Sequence, residues 1–371
     1  MTLLEVQHVT HSYPTSPRPV LRDVSLEVVA GDVVAVVGES GCGKTTMGRL
    51  IAGLTEPSQG KVAFDGSDIW SLKGRAKKDW RRRVQLVHQD PYGSLNPGLT
   101  LGSTLAPGML YHKLATPRTV DQAMLEVLEQ VGLDPTKEFL QRYPHQLSGG
   151  QRQRLSIARA ISLRPDLVVA DEVTSMLDVS MRVAILDLLL KFRAERGIGF
   201  VFISHDFGVV RYFTQGGRIA VMFFGSIVEV GPTDEVVTAP KHPYTQMLLQ
   251  AIPVPNPALA RQREAEEAAA GGETERLIGE PSWTGCVFAN RCPLVQDVCR
   301  TTPPPLQQVK TDDGTATQGH QAACHFSDRI PPLRYLAHEG DGASNQNGAR
   351  QNGVHESAGG SGSHPAQASV G

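Results

Sequence analysis

The chain has 371 residues, 40% of them hydrophobic and 20% charged, with a formal net charge of −2. That balance is ordinary for a soluble globular protein of one large domain plus appendages. It excludes a strongly basic nucleic-acid surface, and no apolar run approaches the roughly 20 residues that cross a bilayer.

The first segment, "MTLLEVQHVTHSY", lacks a basic stretch followed by an apolar one, so no signal peptide and a cytosolic location are expected. "LLEVQHVTHSY" (3–13) and "VSLEVVAGDVVAVVG" (24–38) alternate in period two and predict strands joined by turns. "GDVVAVVG" reads as a buried parallel strand, "KTTMGRLIAG" (44–53) as a helix stopped by Gly53, and "PSQGKVAFDG" (57–66) as a turn and strand. From about 92 to 165 the pattern turns helical, as in "TVDQAMLEVLEQVGL" (119–133) and "QRQRLSIARAISL" (151–163). "PDLVVADE" (165–172) and "IGFVFISHD" (198–206) predict buried strands, "VAILDLLLKFRAE" (183–195) a helix, and "RIAVMFFGSIVEVG" (218–231) a hairpin around Gly225. Strand–helix alternation makes the core α/β with a largely parallel sheet. The expected division is a core over 1–255, a linker over 256–280, a cysteine-rich segment over 281–335 and a disordered tail over 336–371.

"GESGCGKT" fits G-x-x-x-x-G-K-[ST] in full, with a strand before and a helix after. Gly38, Glu39, Ser40, Gly41, Cys42 and Gly43 wrap phosphates with backbone, Lys44 supplies a point charge, and the Thr45 hydroxyl suits Mg²⁺. In "LVVADE" two acids end an apolar strand. Asp171 suits Mg²⁺ held partly through water, which leaves Glu172 to polarise an attacking water. His205 and Gln89 stand at loops where an α/β sheet binds ligands, although each is a weak signal alone. Tyr13 is either an adenine-stacking ring or an ordinary strand-end tyrosine. "LSGGQRQR" (147–154) offers a second anion site, two glycines opening a helix.

As an ordered set over residues 3–255, these stretches resemble the ATP-binding subunits of ABC transporters; "LSGGQ" separates that family from other P-loop ATPases. "QDPYGSLNP", "RYPHQLSGGQRQR", "KHPYTQMLLQAIP" and "GCVFANRC" are similar to the dipeptide/oligopeptide import branch, most like its second ATPase subunit. Nickel and glutathione importers share that branch, and a soluble ABC ATPase without a transport role is the alternative from another class.

The resemblance implies a RecA-like P-loop core, an N-terminal antiparallel β subdomain and an inserted helical subdomain. Tyr13 then stacks on the base, and residues 38–46, Thr46 included, hold the phosphates. Thr45 and Gln89 hold Mg²⁺ with Asp171 behind, Glu172 is the general base, and His205 contacts the γ-phosphate. Ser148, Gly149, Gly150, Gln151 and Asp178 act across a head-to-tail dimer with a second, different ATPase subunit. Two permease subunits and, indirectly, an extracytoplasmic binding protein are the further partners, with the chain peripheral on the cytoplasmic face of the inner membrane. The run "DEVTSMLD" departs from the family pattern at Val173 and Met176, as does His88 beside Gln89.

Four of the five cysteines crowd together as Cys286-x5-Cys292-x6-Cys299-x24-Cys324. This is neither a zinc-finger nor a ferredoxin spacing. Clustering in a cytosolic chain favours metal over disulfides. The resemblance suggests a [4Fe–4S] cluster, with Zn²⁺ the rival and His320 or His325 replacing one cysteine; four free thiols are the bland reading. Cys42 reads as packing only.

Overall fold

The computed structural model describes residues 2–16, 18–252, 280–310 and 316–330; nearly all of the expected linker, residues 331–335 of the cysteine-rich segment and all of the expected tail lie outside them. The period-two alternation at the N-terminus builds β1 (Thr2–His11) and β2 (Leu21–Val29), where Leu21, Val24, Leu26 and Val28 point inward. β3 (Val33–Val37) is buried at every position and leads through the glycine-rich loop into α1 (Lys44–Ile51). β4 (Gln59–Phe64) and β5 (Ser67–Asp68) complete a four-stranded antiparallel sheet in the order β2-β1-β4-β5.

Two elements follow that period alone does not announce. α2 (Gly74–Arg83) buries only Trp80, and β6 (Val84–Val87) is a four-residue strand. The helical block then resolves into α3 (Pro91–Ser94), α4 (Leu101–Tyr111), α5 (Val120–Gln130), α6 (Lys137–Leu140), a 3₁₀ turn at Pro144–Gln146, and α7 (Gly149–Ile161). Leu101, Leu105 and Met109 of α4 and Met124, Val127 and Leu128 of α5 supply its interior, at helical spacing.

β7 (Leu167–Asp171), α8 (Val179–Arg196), β8 (Gly199–Ser204) and α9 (Phe207–Phe213) return the chain to the core. β9 (Arg218–Phe223) and β10 (Ser226–Pro232) form the predicted hairpin, turned at Phe224 and Gly225, both with positive φ. α10 (Thr233–Thr238) and α11 (Pro243–Gln250) close the core.

The cysteine-rich segment adds α12 (Asp297–Thr301), β11 (Gln307–Lys310) and β12 (Ala316–Ala322). Its strands extend the main sheet, whose order is β11-β12-β10-β9-β3-β8-β7-β6. From β9 to β6 the neighbours run parallel; the three strands beyond β9 are antiparallel.

Fully buried strands explain why β3, β7 and β8 read as unbroken apolar runs. Val34, Val36, Val169, Val201 and Ile203 on one face meet α1 and the N-terminal sheet. Phe200 and Phe202, on alternate positions, meet Phe213 of α9 with ring centroids 5.5 and 4.5 Å away. Each such side chain contributes about 1.5–3 kcal/mol. The consequence for function is positional: β3, β6, β7 and β8 all end on one edge, and the loops leaving them carry Gly38, Gln89, Glu172 and His205.

Candidate active site

The loop after β3 closes tightly on the hairpin. A Cβ on Gly38 would stand 2.1 Å from the Met222 carbonyl oxygen, and a Cβ on Gly43, at φ 109°, would stand 2.9 Å from the Val20 carbonyl oxygen. No side chain fits either position. Lys44 is buried, and its Nζ donates to the carbonyls of Gly38 (2.8 Å) and Glu39 (2.9 Å), so the lysine spans its own loop. The N–H groups that open α1 are unpaired within the helix and face the concavity, the arrangement that binds phosphate.

A cavity of about 400 Å³ lies over this loop. Ser40, Gly41, Lys44 and Thr45 line one side, Gln89, Glu172 and His205 the other. The Thr45 hydroxyl donates to Asp171 Oδ1 at 3.4 Å. Asp171 is buried, and burial pushes its carboxyl above the usual range, with the Thr45 bond acting the other way. A divalent cation bound there favours the anion. Thr45, Gln89 and Asp171 present the oxygen donors that suit Mg²⁺ when phosphate oxygens complete the shell.

Glu172 is the centre of the far wall. Gln89 Nε2 donates to its Oε2 (3.2 Å), and His205 Nδ1 lies 3.1 Å from its Oε1. The residue sits at φ 45°, a left-handed conformation that costs a non-glycine residue about 1–2 kcal/mol. The surroundings hold it there: its N–H donates to the Ile203 carbonyl (3.0 Å), and its carbonyl accepts from Ser175 N and Oγ. Strain at an acid facing a phosphate cavity is where mechanism concentrates.

The remaining expected residues fall elsewhere. The Tyr13 hydroxyl lies 3.3 Å from Thr46 Oγ1. Ser148 caps α7: its Oγ accepts from Gln151 N (3.3 Å) while Gln151 Oε1 accepts from Ser148 N (3.0 Å), a reciprocal capping box. Gly150 presses on Met181, and none of residues 148–151 lines the phosphate cavity. Asp178 caps α8 through Met181 N (2.9 Å), between the exposed apolar residues Met176 and Val179.

Cys286 and Cys292 precede α12, Cys299 lies in it and Cys324 follows β12. Cys286, Cys299 and Cys324 are buried, and Cys286 N donates to the Cys299 carbonyl at 2.7 Å. Burial, then neighbouring thiols, pushes Cys292 up to about 12 and Cys324 to about 11, which keeps both protonated at neutral pH. Among the described residues no group of three or more His, Cys, Asp and Glu is placed to hold a metal ion, so the expected cluster or Zn²⁺ finds no support in the geometry. Neither expected substitute is spare. His320 is buried between Glu229 (Nε2, 2.8 Å) and Glu235 (Nδ1, 3.3 Å), and His325 Nε2 faces the Thr302 carbonyl at 3.0 Å.

Sequence reasoning missed Tyr244, whose buried hydroxyl accepts the Glu39 N–H at 2.9 Å, and Arg291, which reaches the same loop residue. Their signal was long-range: Tyr244 lies 205 positions after Glu39, and only the fold brings them together.

Among protein families, the one described as ABC transporter matches residues 21–175, and the oligopeptide/dipeptide transporter C-terminal region matches 228–299. A probable peptide ABC transporter ATP-binding protein of Sinorhizobium fredii is 44% identical over 338 residues, 88% of this chain and 92% of its own. An oligopeptide transport ATP-binding protein of Bacillus subtilis is 44% identical over 266 residues, 70% of this chain and 86% of its own. A dimeric, post-hydrolysis ATP-binding cassette bound to ADP and Pi superposes with a TM-score of 0.55 at 29% identity, covering 62% of this chain and 99% of that one.

Proposed function

The chain belongs to the ATP-binding proteins of ABC transporters, and on that premise we propose that it drives import of di- and oligopeptides by hydrolysing ATP. The observation that carries the chemistry is the shared carboxylate: Gln89 and His205 each engage one oxygen of Glu172 at the mouth of the phosphate cavity. Lys44 and the α1 N-terminus hold the β- and γ-phosphates, and Thr45, Gln89 and Asp171 supply the Mg²⁺ side. A Mg²⁺ held by those residues would neutralise charge developing on the γ-phosphoryl group. Glu172 accepts a proton from the attacking water, Gln89 orients it, and His205 donates to the γ-phosphate. Tyr13 serves the base.

Residues 148–151 and Asp178 serve the facing subunit. None of them lines this chain's own cavity, which supports that assignment, as does the dimeric cassette to which the fold is similar. A second ATPase subunit and two permease chains complete the assembly on the cytoplasmic face of the membrane. Among the described residues no helix is long and apolar enough to cross a bilayer, so the spans belong to those permeases. A [4Fe–4S] cluster, with Zn²⁺ the rival, is carried as a finer proposal on the donor set alone. Cys286, Cys292, Cys299 and Cys324 are the thiols it would take, and no catalytic step passes through it.

The test is reconstitution with the membrane partners. ATP hydrolysis stimulated by peptide-loaded binding protein supports the peptide assignment. Stimulation by nickel-loaded or glutathione-loaded protein alone moves the cargo, and hydrolysis indifferent to any of them removes the transport role.

A further inference from the structure

The phosphate loop contains an acid. Glu39 immediately follows Gly38, so the loop that must receive a polyphosphate carries a negative charge of its own, next to the lining residues Ser40 and Gly41. In isolation it repels that ligand. The compensation comes from the far end of the sequence. Arg291, one position before Cys292, places Nη1 3.2 Å from both Glu39 oxygens. Its guanidinium lies against Phe223 and Phe224, 5.3 and 5.7 Å from their ring centroids, and its side chain is only 15% exposed. A planar cation stacked on aromatics and forked to a carboxylate is pre-organised.

Two further contacts run from the same segment to residues that hold or flank the phosphate loop and its cavity wall. Phe288 packs on Tyr244 (centroids 5.5 Å), the residue whose hydroxyl takes the Glu39 N–H. Trp283 is stacked between Arg18 and Arg22, 4.5 and 5.0 Å from its ring, on the two sides of Val20, which lines the cavity.

We propose that the cysteine-rich segment is a clamp on the ATP site, with Arg291 its positioning residue, neutralising Glu39 and holding the phosphate loop open to a polyanion. This rests on the ATP site as read above and assigns to the segment a role in nucleotide affinity. Any change that loosens the segment, at its thiols or its strands, then reaches ATP through Arg291.

The experiment measures binding of ATP to the full-length chain with a fluorescent analogue, alongside thermal melts. Arg291→Met should weaken ATP about tenfold, the scale of a lost charge-assisted pair. Arg291→Lys keeps the charge and loses the planar, stacked geometry, so its affinity should fall between wild type and Arg291→Met. Adding Glu39→Gln to Arg291→Met should restore affinity to within about threefold of wild type, a rescue that a purely structural role of Arg291 would not produce. Wild-type affinity in Arg291→Met, or no rescue in a folded double variant, overturns the clamp alone. A wild-type chain that binds no ATP, as Lys44→Ala should, overturns both this proposal and the ATP site beneath it.

Discussion

Replacing Glu172 by glutamine separates chemistry from binding in this site. The two side chains have the same shape, and the cavity wall they form is unchanged. Each Glu172 oxygen has one partner, Gln89 Nε2 at 3.2 Å and His205 Nδ1 at 3.1 Å. A glutamine can keep both by turning its oxygen to Gln89 and its amide to an unprotonated His205 nitrogen. The strained backbone at φ 45° is common to both residues, so its cost cancels. Stability should therefore stay within about 0.5 kcal/mol and ATP affinity within about threefold. What is lost is the proton acceptor. General-base removal slows the chemical step about 10²–10⁴-fold, or about 3–5 kcal/mol on the barrier. The assay is phosphate release by the assembled transporter at saturating ATP, with nucleotide binding measured in parallel. A variant turning over within tenfold of wild type would refute the base assignment, and one that no longer binds ATP would refute the argument from shape.

Three other outcomes can be measured. Ser148→Arg should impair the partner's ATP site and leave this chain's own phosphate cavity competent, read by pairing the variant with a hydrolysis-dead partner; loss confined to its own site would contradict the head-to-tail arrangement. His242, fully buried, has its imidazole pushed down to about 3 by burial and uses neutral Nδ1 to accept the Tyr244 N–H at the start of α11. Between pH 6.5 and about 3 the unfolded chain carries a proton there that the folded chain does not. Stability is thus full above 6.5 and falls with acid, by up to about 1.4 kcal/mol per pH unit. His242→Asn should remove that share of the slope in urea melts, and an unchanged slope would count against the buried neutral form. Absorbance near 400 nm and one iron–sulfur cluster per chain are expected of anaerobically purified protein if the four-thiol donor set is occupied; a colourless sample with zinc, or with no metal, disproves the cluster.

The legible parts of the fold were those whose physics is local. β3, β7 and β8 are continuous apolar runs because both faces of a parallel strand are covered, and the phosphate loop follows the first of them. The hairpin of β9 and β10 was visible because one glycine sits between two strand-like apolar runs. β6 was not, since "VQLV" is too short to show a period, and "GRAKKDWRRR" hides its helix because Trp80 alone is buried. β11 and β12 left still less trace: Val309 is the only buried residue of β11, and the order comes from pairing to Glu229 and Val230. The phosphate-side residues of the active site were readable as motifs. Arg291 was not, because its meaning lies in a carboxylate 252 positions away.

The pairing of β12 with β10 also bears on how the chain is made. Glu229 is fully buried, held by Lys241 N, His242 N and His320, and His320 lies 91 residues further along. On a ribosome adding about 5–20 residues per second, β10 waits several seconds with one edge unpaired and a carboxylate lacking its histidine partner. During that interval the nascent ATPase carries an adhesive strand, the kind of edge that recruits other chains. A message truncated before residue 316 would leave that interval permanent. Such a product should reach chaperones and proteases as an aggregating species even though every residue of the phosphate cavity has already been translated.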